Sequence, residues 1–188
     1  MTLAILLPLI GIFSHYKISA SFEFSNYISS IIFFTIYQSL LSALLSIIVG
    51  SLLAFLLNTY NNFYIVKIIA QSQSIIFVLP TIITIFGILS FYGNFFEIYG
   101  LTGILFGHVI LNTPLVGRII YQSLNEISPN EKMLSRQMGL RKISSFLASE
   151  WPIIKKNVPS LFVLVTFICF VSFTPVLILG GGPKYSTL

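Results

Sequence analysis

His108 and Asn112 stand four residues apart inside the apolar run Leu101–Gln122. On a helix that spacing puts both side chains on one face, one turn apart. An imidazole and a carboxamide so placed can donate and accept hydrogen bonds at a single spot. Two readings follow: a histidine bonded to a neighbouring helix, which is favoured, or one that meets a polar cargo, since ionisable groups within an apolar span mark functional positions by default. A second polar line lies in Ile65–Tyr92, where Gln73, Phe77, Pro80 and Thr84 share a helix face and Thr81 sits beside them. Polar side chains at membrane depth are costly unless they meet another helix or water, and a proline there frees a carbonyl that needs a donor. A helix lining a polar path and a simple packing kink explain Pro80 equally well. Thr166, Cys169 and Ser172 carry polar or small atoms through a third apolar run, Pro159–Leu179. The candidate lining of a path is therefore Gln73, Thr81, Thr84, His108, Asn112 and Ser172.

Bond-breaking chemistry finds little to work with. Cys169 is the single cysteine, so neither an internal disulfide nor a cysteine-rich metal site is available. His15 and His108 stand alone, the chain has no Asp, and no nucleophile, base and orienting group occur at workable spacing. The run Gly180–Pro183 has the glycines of a phosphate loop but no Lys-Ser/Thr after it, and it reads as a turn. No catalytic residue, metal site or bound cofactor is expected.

The elements that must position these residues follow from composition. Only 8% of the 188 residues are charged, against about 25% in soluble domains. The chain is therefore expected to be an all-α membrane protein. Its apolar runs propose five spans: Thr2–Tyr16, short for a ~30 Å core, then Ile31–Leu57, Ile65–Tyr92, Leu101–Gln122 and Pro159–Leu179. Ser42, Ser46, Gly50 and Ala54 recur every fourth residue in the second, a stripe of small side chains that lets another helix come close. Gly103 and Gly107 make a similar face in the fourth.

Leu124–Pro159 is the one long water-facing stretch. It holds Lys132, Arg136, Arg141, Lys142, Lys155 and Lys156, six of the ten basic residues. Such a loop stays in the cytoplasm, so five crossings put the N-terminus inside and the C-terminal end outside. The net charge of +5 thus reports topology and not a nucleic-acid surface. Ser128-Pro129-Asn130-Glu131 has the form of a capping box, and Gly139 stands where a left-handed residue closes the helix. A second short helix is expected over Ile143–Glu150, with Trp151 forced out of helical geometry because Pro152 follows it. Residues alone leave two uses for this loop, a docking surface or a topology-fixing segment touching anionic lipid.

The stretch resembles the loop of ABC-importer permeases that carries Glu-Ala-Ala, three residues, Gly, nine residues, then Ile-x-Leu-Pro. Aligned on Gly139, Met133-Leu134-Ser135 replaces Glu-Ala-Ala and Ser149-Glu150-Trp151-Pro152 forms the end, so only Gly139 and Pro152 match. It is more similar to the first half of the thiamine (thiamine pyrophosphate) importer permeases, where the loop is similarly degenerate and ends in Glu-Trp-Pro. FGILSFYG at Phe86–Gly93, YGLTGILFGHVILNTPLVGRIIYQSL at Tyr99–Leu124 and LILGGGPKYSTL at Leu177–Leu188 extend the resemblance over roughly Ser74 to the C-terminus.

The resemblance implies one transmembrane permease domain over 1–188, of binding-protein-dependent importer type. It has about five helices, resembles a first half and stops short of a sixth helix. It implies a coupling loop over 124–158, with Ser128, Glu131, Met133, Met138, Gly139, Phe146, Glu150, Trp151 and Pro152 at the contact. It also implies partners: a cytoplasmic ATPase dimer that hydrolyses ATP, a periplasmic substrate-binding protein, a second permease half and membrane lipid. The expected setting is a bacterial inner membrane and the expected cargo thiamine or its phosphates. A ferric-iron permease of the same fold and a non-transporting remnant are the rival readings.

Overall fold

The computed structural model describes residues 26–61, 63–93, 99–127 and 142–181. Every regular element among them is helical. In chain order these are α1 (Asn26–Thr59), α2 (Tyr64–Val78), α3 (Thr81–Tyr92), α4 (Leu101–Asn125), α5 (Lys142–Ser145), α6 (Trp151–Val171) and α7 (Thr174–Leu179), with a π-helical turn, Phe146–Glu150, between α5 and α6. The chain divides into two compact units, Met1–Ser30 and Ile31–Leu188, and the packing below lies within the second. The apolar segment Thr2–Tyr16, the Ser128–Glu131 box and Gly139 lie outside the described residues.

Among the described residues, three helices are long and apolar enough to cross a bilayer: Ile28–Thr59, Leu101–Asn125 and Phe146–Val171. Their outward faces carry large exposed apolar side chains, among them Ile48, Leu52, Val163 and Phe167, as lipid contact requires. α4 is the central element. It packs on α2, α3, α6 and α7. The small-residue stripe of α1 meets α4 directly: Ser42, Ser46, Gly50 and Ala54 are all buried, and a Cβ on Gly50 would lie 2.7 Å from the Cβ of Val116. One apolar cluster joins Ala43, Ile47 and Ala54 of α1 to Val116, Ile120 and Leu124 of α4 and to Leu161, Val165 and Cys169 of α6. A second joins Ile85, Ile104, Val176 and Leu179, where α3, α4 and α7 meet. Gly107, from the expected glycine face of α4, is buried here and approaches Leu179.

Four boundaries differ from expectation. Ile65–Tyr92 is two helices, and neither reaches the ~20 residues of a crossing alone. Leu79 is extended at φ −61, ψ 140, because the ring of Pro80 disfavours helical geometry before it. Pro80 then caps α3 from φ −54, ψ 127 and its carbonyl accepts from the amides of Ile83 and Thr84.

The second correction concerns Trp151, which is helical at φ −58, ψ −42 and not expelled by Pro152. The turn before it is a wide one, in which the Trp151 amide donates to the Phe146 carbonyl five residues back. The proline therefore falls in the first turn of a new α-segment, where a missing N–H is tolerated. Helix thus runs without a gap from Lys142 to Val171, and it absorbs both the expected loop helix and the start of the fifth span. The third difference is that this run stops at Ser172 (φ −78, ψ 100), ahead of Pro175, which instead opens α7. α4 also runs on to Asn125, into the stretch read as loop.

The ends of α4 and α7 are tied together. The Gly100 amide donates to the Leu179 carbonyl at 2.8 Å. Gly100 sits at φ 85, ψ −159, a region essentially reserved for glycine. Gly100→Val should therefore cost about 1–3 kcal/mol and lower the unfolding temperature of the detergent-purified chain. Gly87→Val is the matched control, since a Cβ on Gly87 would meet nothing within 4 Å. Equal unfolding temperatures for the two variants would show that the Gly100 conformation does not matter to stability.

Candidate functional site

Two of the helix interruptions converge. Leu79 and Thr81, from the break around Pro80, line one side of a cavity of about 70 Å³. Ile168 and Ser172, at the end of α6, line another, and α4 closes it with His108, Leu111 and Asn112. An interrupted helix leaves backbone groups without internal partners, so irregular backbone within a span is tolerated where it lines a cavity or is buried in protein. Four of the six residues expected on a polar path, Thr81, His108, Asn112 and Ser172, are thus brought to one place.

The polar side chains behind this cavity form a network across α1, α4 and α6. His108 Nδ1 lies 3.2 Å from Ser42 Oγ. Asn112 Nδ2 donates to the His108 carbonyl at 2.9 Å and to Cys169 Sγ at 3.3 Å. Gln38 Nε2 approaches the Cys169 carbonyl at 3.5 Å, the long end of hydrogen-bonding range. The favoured reading of His108 therefore describes one of its nitrogens. The other, Nε2, is buried and has no partner among the described residues, as is also true of Gln38 Oε1. Buried polar atoms normally find partners, so these two leave hydrogen-bonding capacity unused beside the cavity.

Gln73 and Thr84 lie elsewhere. Gln73 is buried with neither carboxamide atom paired among the described residues, and its Nε2 lies 3.3 Å from where a Cβ on Gly117 would stand, so that glycine makes room for it. Thr84 Oγ1, on α3, is buried and has no partner among the described residues. Sequence reading missed Gln38, although an amide four residues before Ser42 in an apolar run is the same signal that singled out Asn112.

The expected coupling contact splits in two. Ser128, Glu131, Met133, Met138 and Gly139 lie outside the described residues. Of the remainder, Phe146 is turned inward, its ring 4.8 Å from that of Phe55 in an edge-on pair. Glu150 Oε1 accepts from Asn58 Nδ2 at 2.9 Å. These two hold the π-helical turn against the end of α1. Trp151 and Pro152 remain exposed.

No family model matches the chain. Curated proteins do. It is 38% identical over 178 residues to the thiamine transport system permease protein ThiP of Haemophilus influenzae, a match covering 87% of this chain and 33% of that one. The Escherichia coli protein of the same name is 34% identical over 179 residues, with the same coverage. That of Brucella abortus is 31% identical over 184 residues, covering 90% of this chain and 34% of its own. A solved structure described as a crystal structure of an amino acid ABC transporter with histidines has a TM-score of 0.48 and 19% identity, covering 71% of this chain and 66% of that one. The chain spans about a third of the length of the curated relatives it matches. It is, over nearly all of its own length, a sequence relative of the thiamine transport permeases.

Proposed function

We propose that this chain forms part of the membrane-spanning pathway of an ATP-driven importer, with thiamine or a thiamine phosphate as cargo. One observation carries the reading: the match to permeases named for thiamine transport extends over 87% of the chain. The cavity between the two helix breaks supports it, because the polar residues Thr81, His108, Asn112 and Ser172 line it together. In this reading the chain holds no cofactor. ATP is hydrolysed by a cytoplasmic ATPase dimer, while a periplasmic binding protein delivers cargo and a second permease half completes the path. The ATPase meets the surface around Trp151 and Pro152, together with the loop residues Ser128, Glu131, Met133, Met138 and Gly139. Phe146 and Glu150 support that surface from behind.

Uptake of labelled thiamine tests the reading. Cells lacking this chain should lose ATP-dependent uptake and regain it when the chain is restored. Uptake that is unchanged by its loss would remove thiamine as cargo.

Orientation is tested separately. In a Cys169→Ser background, single cysteines at Ser145 and Ser186 should react with an impermeant thiol reagent from opposite faces of the membrane, Ser145 from the cytoplasm. Labelling of both from one face would overturn the orientation.

A further inference from the structure

α2 and α4 enclose a second cavity, separate from the one between the helix breaks. Its volume is about 280 Å³. On α2, Lys67, Gln71 and Ser74 follow one another at helical spacing along one face, with Ala70 forming a small-residue wall. On α4, Arg118, Tyr121 and Gln122 do the same. Two cations thus face one groove with no carboxylate among its described lining residues, and a cleft lined by one sign of charge concentrates the opposite ion.

The rim is held in place. Tyr121 OH donates to Asn61 Oδ1 at 2.8 Å, and Asn61 Nδ2 donates to Asn125 Oδ1 at 3.3 Å. These bonds tie the α1–α2 turn to the end of α4, so the groove is preformed at the polar edge of the helices. We propose that it binds a phosphoryl anion. The donor set fits that group: a guanidinium fork that matches phosphate oxygens, an ammonium point charge, two carboxamides and a hydroxyl. The size fits as well, since one ordered water needs only about 10–15 Å³, leaving room for a phosphate and part of whatever it is esterified to. At a membrane edge the same chemistry is offered by a phospholipid headgroup or by a soluble phosphate. The assignment is independent of the cargo.

The full chain is reconstituted in vesicles of phosphatidylcholine alone, or of phosphatidylcholine mixed with phosphatidylglycerol. Anionic lipid retained on the protein is counted by native mass spectrometry after release from the mixed vesicles. Labelled orthophosphate is titrated onto the protein in the neutral ones. Lys67 and Arg118 are both exposed, so Lys67→Gln with Arg118→Gln should leave helix content by circular dichroism unchanged. That pair should weaken binding by roughly tenfold or more. Lys155→Gln with Lys156→Gln removes the same charge from the exposed flank of α6 and should leave binding within about twofold. Retention of phosphatidylglycerol assigns the groove to a headgroup, and saturable orthophosphate binding assigns it to a soluble anion. Binding of neither, or equal losses in the two double variants, overturns the site.

Discussion

Gly50→Leu should be the most damaging single change in the described helices. A Cβ at Gly50 would lie 2.7 Å from both Cβ and Cγ1 of Val116 and 3.2 Å from the Gly117 amide nitrogen. The obstacle is a β-branched side chain and a backbone, neither of which can swing away, so α1 and α4 must separate. Between helices in lipid there is no water to expel, and close packing itself carries the association. Overpacking costs about 1–3 kcal/mol in well-packed cores, and this contact belongs at the upper end. Gly50→Ala should cost less, and Val116→Gly placed beside it should restore part of that loss, because the void and the added methyl then face each other. Unfolding of the purified variants in detergent measures all three. If Gly50→Leu unfolds with the unaltered chain, α1 and α4 do not cross at this glycine.

Trp151→Ala and Phe146→Ala should fail in different ways. Trp151 is 47% exposed beside the π-helical turn. If this surface receives the ATPase, truncating an exposed tryptophan at the contact should cost about 2 kcal/mol or more of association, roughly 30-fold in affinity. The unfolding temperature should hardly change. Phe146 packs edge-on against Phe55. Its truncation removes an aromatic pair worth about 0.5–1.5 kcal/mol beyond the area buried, so stability should fall first, and partner recovery only as a consequence. Co-purification of the ATPase at matched expression, read beside thermal unfolding, separates the two. Full partner recovery with Trp151→Ala would move the docking surface away from this turn.

What the sequence made legible was local or periodic. Ser42, Ser46, Gly50 and Ala54 announce a contact face because a four-residue repeat of small side chains has few other uses, and the structure buries all four. His108 and Asn112 announce themselves as polar groups in an apolar run. What could not be read was long-range. Nothing near Cys169 says that Asn112, 57 positions away, will donate to its sulfur. Nothing near Glu150 points to Asn58, 92 positions away. Proline was read correctly as a disturbance at position 80 but misjudged at 152. The rule for a residue preceding proline is a bias and not a prohibition, and the wide turn at Phe146–Glu150 places Pro152 in the first turn of a new α-segment, where it is tolerated. A π-turn has no strong sequence signature, so that boundary had to be seen.

The unbroken helix from Lys142 to Val171 has a mechanical consequence. Beyond the wide turn, α6 continues for 21 residues, about 30 Å at 1.5 Å per residue, with Pro159 in its interior. It is held at its base by Phe55 and Asn58 and ends at Ser172, in the wall of the cavity that also holds His108. A pivot of about 5° at the base sweeps the far end through roughly 3 Å, by the same helix dimensions. That is comparable to the width of a water molecule and large against a cavity of about 70 Å³. On the proposed reading, a tilt of α6 applied at the exposed Trp151 would shift Ser172 in the cavity wall without any helix having to melt.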